Sequence, residues 1–86
     1  MFNFTVRIFK EGKTYVSHNP ELNVASCGAT IAKAKANLKE ALIGFLESAK
    51  KLGTLDEILE ESGYVQKSNR WIEPKLVSTG KLSIVG

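Results

Sequence analysis

The feature that most constrains the fold is an amphipathic stretch over residues 30–52. Thr30 is a good N-cap because its hydroxyl accepts a first-turn N–H, and Gly53 suits the left-handed position that follows a helix. Apolar residues recur within the stretch at intervals of three and four, as on one face of an α-helix; they are Ile31, Ala34, Leu38, Ala41, Leu42, Phe45 and Ala49. The spacing predicts one long helix that covers an apolar surface.

The residues before the helix predict three short strands, which would form that apolar surface. Residues 2–8 alternate apolar and polar side chains, a period of two that indicates a strand with one buried face. Gly12 suits a tight reversal into a second strand at 14–17, and residues 23–27 predict a third strand. The inward positions of the first strand are Phe2, Phe4, Val6 and Ile8. We therefore expect an α+β fold in which an antiparallel three-stranded meander is covered by the helix.

The residues after Gly53 predict a short second helix and a C-terminal β segment. Thr54 to Glu57 has the T-x-x-E form of a capping box, and the chain becomes β-like again from Tyr64 to Val85. We expect at least one of these β-like segments to return to the sheet. A chain of 86 residues suits one compact domain. The expected division is therefore a single domain over 1–86, with a β-β-β-α core at 1–53 and a short helix and β tail at 54–86.

Composition and charge indicate a cytoplasmic protein. The chain has no run of eighteen apolar residues and its first residues alternate, so neither a membrane span nor a signal peptide is expected. Cys27 is the single cysteine, which fits a reducing compartment. The net charge is +3, with an acidic segment at 54–63 followed by a basic one at 64–86. This mild charge is weak support for a nucleic-acid partner.

Three motifs in order resemble the HicB-like antitoxin family. They are Tyr15-Val16-Ser17-His18-Asn19-Pro20-Glu21-Leu22, then Cys27-Gly28-Ala29-Thr30, then Ala36-Asn37-Leu38-Lys39-Glu40-Ala41-Leu42. The resemblance covers about residues 3–50 and implies a partial RNase H-like fold of three antiparallel strands, a helix and a further strand. It also implies direct binding and neutralisation of a small, basic, RNA-cleaving toxin. Lys33 and Lys35 stand where the family usually has acidic residues. The residues after Gly53 match neither of the DNA-binding domains that many members carry, so the chain looks like a stand-alone, single-domain member.

Catalytic and metal sites are not expected. A nuclease of the RNase H type needs several carboxylates that converge on divalent ions, but the predicted strands lack them. His18 and Cys27 are on neighbouring predicted strands, yet no orienting Asn or Asp is recognisable, and a buried lone cysteine usually behaves as a small hydrophobe. The chain is therefore expected to have no enzymatic activity, no cofactor and no metal.

Two groups of residues are candidates for protein interaction. Ala32, Ala36 and Ile43 share a helix flank away from the apolar stripe, and only Ile43 is unexplained by helix propensity. Arg70 and Trp71 are in the basic β-like tail. The terminal segment from Lys81 to Val85 also predicts dimerisation through pairing with a free sheet edge.

The leading functional prediction is a protein-binding module of the antitoxin type. One alternative is an orphan homo-oligomeric domain with no toxin partner. The other is a nucleic-acid-binding protein that uses the basic tail, in which Trp71 stacks on bases and Lys67, Lys75 and Lys81 contact phosphates.

Overall fold

The computed structural model describes residues 2–86 and confirms the α+β class. Three strands precede a long helix, and a short helix and two further strands follow it. In chain order the elements are β1 (Arg7–Glu11), β2 (Thr14–Asn19), β3 (Val24–Gly28), α1 (Ile31–Leu52), α2 (Leu55–Glu61), β4 (Val65–Lys67) and β5 (Arg70–Ile72).

The first three strands form the predicted antiparallel meander, in the order β1-β2-β3. Glu11 pairs with Thr14 across a two-residue turn, where Gly12 has a φ of 58°. This positive φ explains the glycine, because residues with a Cβ adopt it only at a steric cost. Tyr15 pairs with Gly28 at the other side of β2. α1 packs on β3 and β2 and lies over only one face of the sheet.

The first strand is shorter at its start than its apolar alternation predicts. The alternation begins at Phe2, but strand pairing begins only at Arg7, opposite His18. β2 ends one residue beyond His18, at Asn19, and the chain then turns at Pro20, which has no N–H to donate. Residues 2–6 therefore have no strand beside them on the β2 side.

Helix α1 confirms both predicted ends. The Thr30 hydroxyl accepts a hydrogen bond from the Lys33 N–H at 3.1 Å, and Gly53 closes the helix with a φ of 73°. Within the predicted stripe, Ala41 and Phe45 are half-buried and the buried residues are Ala34, Leu38, Leu42 and Ala49. The inclusion of Ile31 in the stripe is wrong, since it is 47% exposed. The helix first meets the sheet one turn later, where Ala34 lies against Gly28.

Helix α2 forms where predicted, but the capping box does not. The Thr54 side chain makes no capping bond to the first turn of α2. Its hydroxyl donates instead to the Ala49 carbonyl of α1, at 3.4 Å. α2 is held against the body by Leu59, which is fully buried. Tertiary contact with α1, rather than a local cap, positions this helix.

The prediction that a β-like segment returns to the first sheet is wrong. β4 and β5 pair with each other as a separate hairpin, and Ser68 and Asn69 form its two-residue turn with φ of 48° and 65°. The short turn brings the two strands side by side, so their backbone N–H and carbonyl groups pair with each other. Residues 73–86 contain no helix or strand.

Candidate functional site

The turn after β2 is organised by one buried side chain, Asn19. Its Nδ2 donates to the Thr5 carbonyl at 2.9 Å and to Glu21 Oε1 at 2.6 Å, while its Oδ1 accepts from the Leu22 N–H at 2.8 Å. Asn19 is fully buried. The N-P-E-L part of the first motif is therefore a structural device that ties the turn to the N-terminal segment.

Glu21 binds the backbone N–H of Thr5, the residue whose carbonyl Asn19 binds. Its Oε1 accepts from the Thr5 N–H at 2.8 Å. Partial burial acts to raise the pKa of Glu21, but the hydrogen bonds from Thr5 and Asn19 outweigh it and hold the pKa below its ordinary value of 4.5.

The Tyr64 hydroxyl donates to the Asn3 carbonyl at 2.5 Å. Burial, together with the negative charge of Glu21, raises the pKa of Tyr64, so it stays a neutral donor.

A pH dependence of stability follows from Glu21. Its pKa is lower in the folded than in the unfolded chain, so its contribution is complete above pH 4.5 and is lost as the pH falls through the lowered folded pKa. Urea unfolding at pH 7 and at pH 3 should therefore show a smaller loss of stability on acidification for Glu21→Gln than for the natural chain. Glu57→Gln, which removes an exposed carboxylate from α2, is the control. An equal loss in all three proteins would contradict this role.

An open groove lies between α1 and the segment just before β1, and we call it the α1–β1 groove. Its volume is about 390 Å³. It exists because α1 lies over β3 and β2 and leaves the β1 side of the sheet nearly uncovered. Four apolar and two basic side chains line it: Phe4, Val6, Leu38, Leu42, Lys35 and Lys39. The sequence pattern assigned Phe4 and Val6 to the core, so this groove was missed as a candidate site.

The predicted interaction residues of α1 lie together on one exposed flank. Ala32, Ala36 and Ile43 are all exposed, and Ile43 has 46% of its surface accessible. Helical periodicity places Glu40 and Glu47 along one border of this flank. We call this set the α1 flank. It is an apolar strip on a helix of 22 residues, and the same periodicity places the exposed Lys39 and Lys50 on the side opposite the two carboxylates.

The other predicted pair, Arg70 and Trp71, lies elsewhere, on β5. Arg70 is exposed and pairs across the hairpin with Lys67, while Trp71 is half-buried and pairs with Gln66. The hairpin makes no extensive contact with α1 in the part of the chain that the structure describes. The structure therefore does not join this pair to the α1 flank.

His18 and Cys27 share the sheet face that α1 leaves open, but they are diagonal neighbours rather than opposite ones. His18 pairs with Ala25, and Cys27 pairs with Val16. The His18 Nε2 is 2.9 Å from Asn23 Oδ1, so an asparagine partner is present that the sequence pattern did not reveal. No hydrogen bond joins His18 to Cys27 among the side chains of residues 2–86.

The carboxylates are dispersed over the described residues. Within residues 2–86, no three of the His, Cys, Asp and Glu side chains come together as a metal site would require. Nor does the same range contain a helix of the length and hydropathy that a membrane span needs. One acidic surface does form, on α2, whose four carboxylates are all exposed: Asp56, Glu57, Glu60 and Glu61.

The motifs quoted above thus have definite places in the fold. Asn19 and Glu21 anchor the N-terminal segment, Gly28 meets α1, and Leu38 lies between the core and the groove. Comparisons of the chain with protein-family models, with curated proteins and with solved structures found no match. Membership of the HicB-like family stays a prediction from the motifs.

Proposed function

We propose that this chain is a non-enzymatic protein-binding module, an antitoxin of the HicB-like type that neutralises a small, basic, RNA-cleaving toxin by direct binding. The observation that carries the proposal is the α1 flank. Ile43 remains 46% exposed on a long helix whose opposite face is firmly packed. An apolar centre with a charged border, on a rigid element, is the usual anatomy of a protein interface.

The charge distribution supports a basic partner through α2 rather than through the start of α1. The first turn of α1 has no acidic residue. α2 presents four exposed carboxylates, and residues 54–66 contain no lysine or arginine. An acidic surface of this kind speeds the approach of a basic protein and orients it. In the proposed complex, α2 guides the toxin and the α1 flank supplies apolar contact.

The proposal is tested first by capture of the tagged chain from a lysate of its native host, followed by mass spectrometry. We expect a stoichiometric small basic protein whose RNA-cleaving activity this chain silences. Recovery of nothing but further copies of the chain, under several growth conditions, would contradict the antitoxin function and favour an orphan homo-oligomer. Recovery of nucleic acid that is released steeply by added salt would favour the nucleic-acid alternative instead.

The substitution Ile43→Glu should weaken binding of the captured toxin at least tenfold, because it places a charge at the apolar centre of the interface. Calorimetric titration of the purified toxin measures the affinity. Val65→Glu is the matched control, since Val65 is a similarly exposed apolar residue at 53% but lies on β4. Equal affinities for both variants and the natural chain would show that the toxin does not use the α1 flank.

A further inference from the structure

The last residues form an apolar segment that their own chain does not cover. Residues 76–85, which we call the C-terminal tail, contain no helix or strand. Five large apolar side chains of the tail are at least 70% exposed: Leu76 at 70%, Val77 at 88%, Leu82 at 93%, Ile84 at 89% and Val85 at 103%. Large apolar side chains that are exposed close together in a sequence often mark an interaction site.

The outer edge of the first strand offers backbone groups for pairing. Among residues 2–86, β1 stands at the end of the strand order and pairs only with β2. Thr5, just before β1, directs both its N–H and its carbonyl to the β2 side, where Glu21 and Asn19 bind them. Backbone groups alternate in direction along a strand, so the even-numbered residues of 4–10 direct theirs to the outer edge. An edge of this kind is a template for another strand.

The α1–β1 groove gives that edge an apolar wall. Phe4 and Val6, whose backbone groups point outward, also line the groove. A strand added beside them would insert alternate side chains between the sheet and α1. The aliphatic stems of Lys35 and Lys39 would cover such a strand while their ammonium groups stay in water.

The tail has the pattern and length of a strand that could pair with the β1 edge. Leu82 and Ile84 are two residues apart, so an extended tail directs both to one side. Residues 76–85 span roughly 33 Å when extended. Strand β1 together with the segment before it, residues 2–11, has the same number of residues and the same reach.

We propose that the C-terminal tail of one copy adds as a strand to the β1 edge of a second copy and fills its α1–β1 groove, so that two chains exchange tails in a symmetric homodimer. The chain reaches the tail from its own body, where Pro74 and Lys75 line a surface cleft with Arg7 and Glu21. Beyond this cleft the apolar side chains of the tail are exposed, so the tail does not cover the β1 edge of its own copy.

The apolar area that the tails bury contributes to the stability of the dimer. Burial of one tail side chain removes on the order of 100 Å² of apolar surface. Alternation directs Leu82 and Ile84 of each tail into the groove, so two tails bury roughly 400 Å² of their own surface. The groove walls that they cover add to this area, against about 1,600 Å² in total for a standard specific interface. Reciprocal exchange is also a closed arrangement, which leaves neither copy with a free β1 edge. This dimer is independent of the toxin-binding proposal, because it uses the groove and tail rather than the α1 flank.

Sedimentation equilibrium of the full chain tests the proposal. The natural chain should be a dimer, and the variant Leu82→Glu with Ile84→Glu should be a monomer with an unchanged circular dichroism spectrum. Ser83→Glu is the matched control: it adds a charge to the opposite side of the same segment and should leave the dimer intact. A monomeric natural chain, or a dimer that survives the double substitution, would overturn the proposal.

Disulfide trapping shows which copy receives the tail. In a Cys27→Ser background, Val6→Cys and Ile84→Cys are combined in one chain and oxidised. We expect covalent dimers on a non-reducing gel. Cross-linked monomers would show that each tail packs into its own groove, and the absence of any cross-link would show that the tail does not enter the groove; either result overturns the exchange.

Discussion

Gly28→Val is expected to destabilise the fold by about 3 kcal/mol, because overpacking against backbone cannot be relieved by a side-chain movement. A Cβ at Gly28 would lie 2.6 Å from the Ala34 backbone nitrogen and 2.8 Å from the Lys33 carbonyl carbon. Any side chain there must push α1 away from β3. The total stability of a domain this size is roughly 5–10 kcal/mol, so the variant should unfold at a much lower urea concentration.

The matched control for this substitution is Gly44→Ala, within α1. A Cβ at Gly44 meets nothing within 4 Å. Since alanine loses less backbone entropy than glycine on helix formation, this variant should gain roughly 0.5–1 kcal/mol. A Gly28→Val variant as stable as the natural chain would contradict the close approach of α1 to β3.

Asn19→Leu is expected to cost about 3 kcal/mol, because it keeps the branched shape and the number of non-hydrogen atoms of the side chain but removes every hydrogen bond of a buried amide. The Thr5 carbonyl and the Leu22 N–H would lose their partners, and Glu21 would lose a donor. The N-terminal segment should then detach from the turn. Hydrogen exchange of the amides of residues 3–6 would report that detachment directly, and urea unfolding would measure the cost.

Asn37→Ala is the control for the loss of an amide side chain. Asn37 donates to the Cys27 carbonyl at 2.8 Å, but the bond is exposed and water can replace the donor. Its loss should cost less than about 1 kcal/mol. Equal losses of stability in the Asn19 and Asn37 variants would contradict the claim that burial makes the Asn19 hydrogen bonds more important for stability.

The strongest local signals of the sequence were sufficient for the main elements. The period of α1, its N-cap at Thr30 and its left-handed residue at Gly53 depend on contacts within a few residues, and each is confirmed. The same is true of the turn at Gly12, whose positive φ is a local requirement. Such features can be predicted from the sequence because their energies depend on residues close to them in the chain.

The positions of the C-terminal tail and of the N-terminal segment did not follow from the sequence pattern. Alternation of apolar residues predicts a strand but not its partner, so Phe4 and Val6 were assigned to a core strand although they line an open groove. The same limit applies to Leu82 and Ile84, which have the pattern of a strand and lie exposed in the single chain.

The sequence by itself determined the α+β class, the meander and the exposed position of Ile43, since these follow from periodicity and turn chemistry. Only the tertiary structure decided that α1 lies over β3 and leaves β1 uncovered, that Asn19 ties the N-terminal segment to the turn, and that β4 and β5 form their own hairpin. Each of these depends on contacts between residues distant in the chain or on a choice between competing strand partners, and such choices are made by packing rather than by local preference.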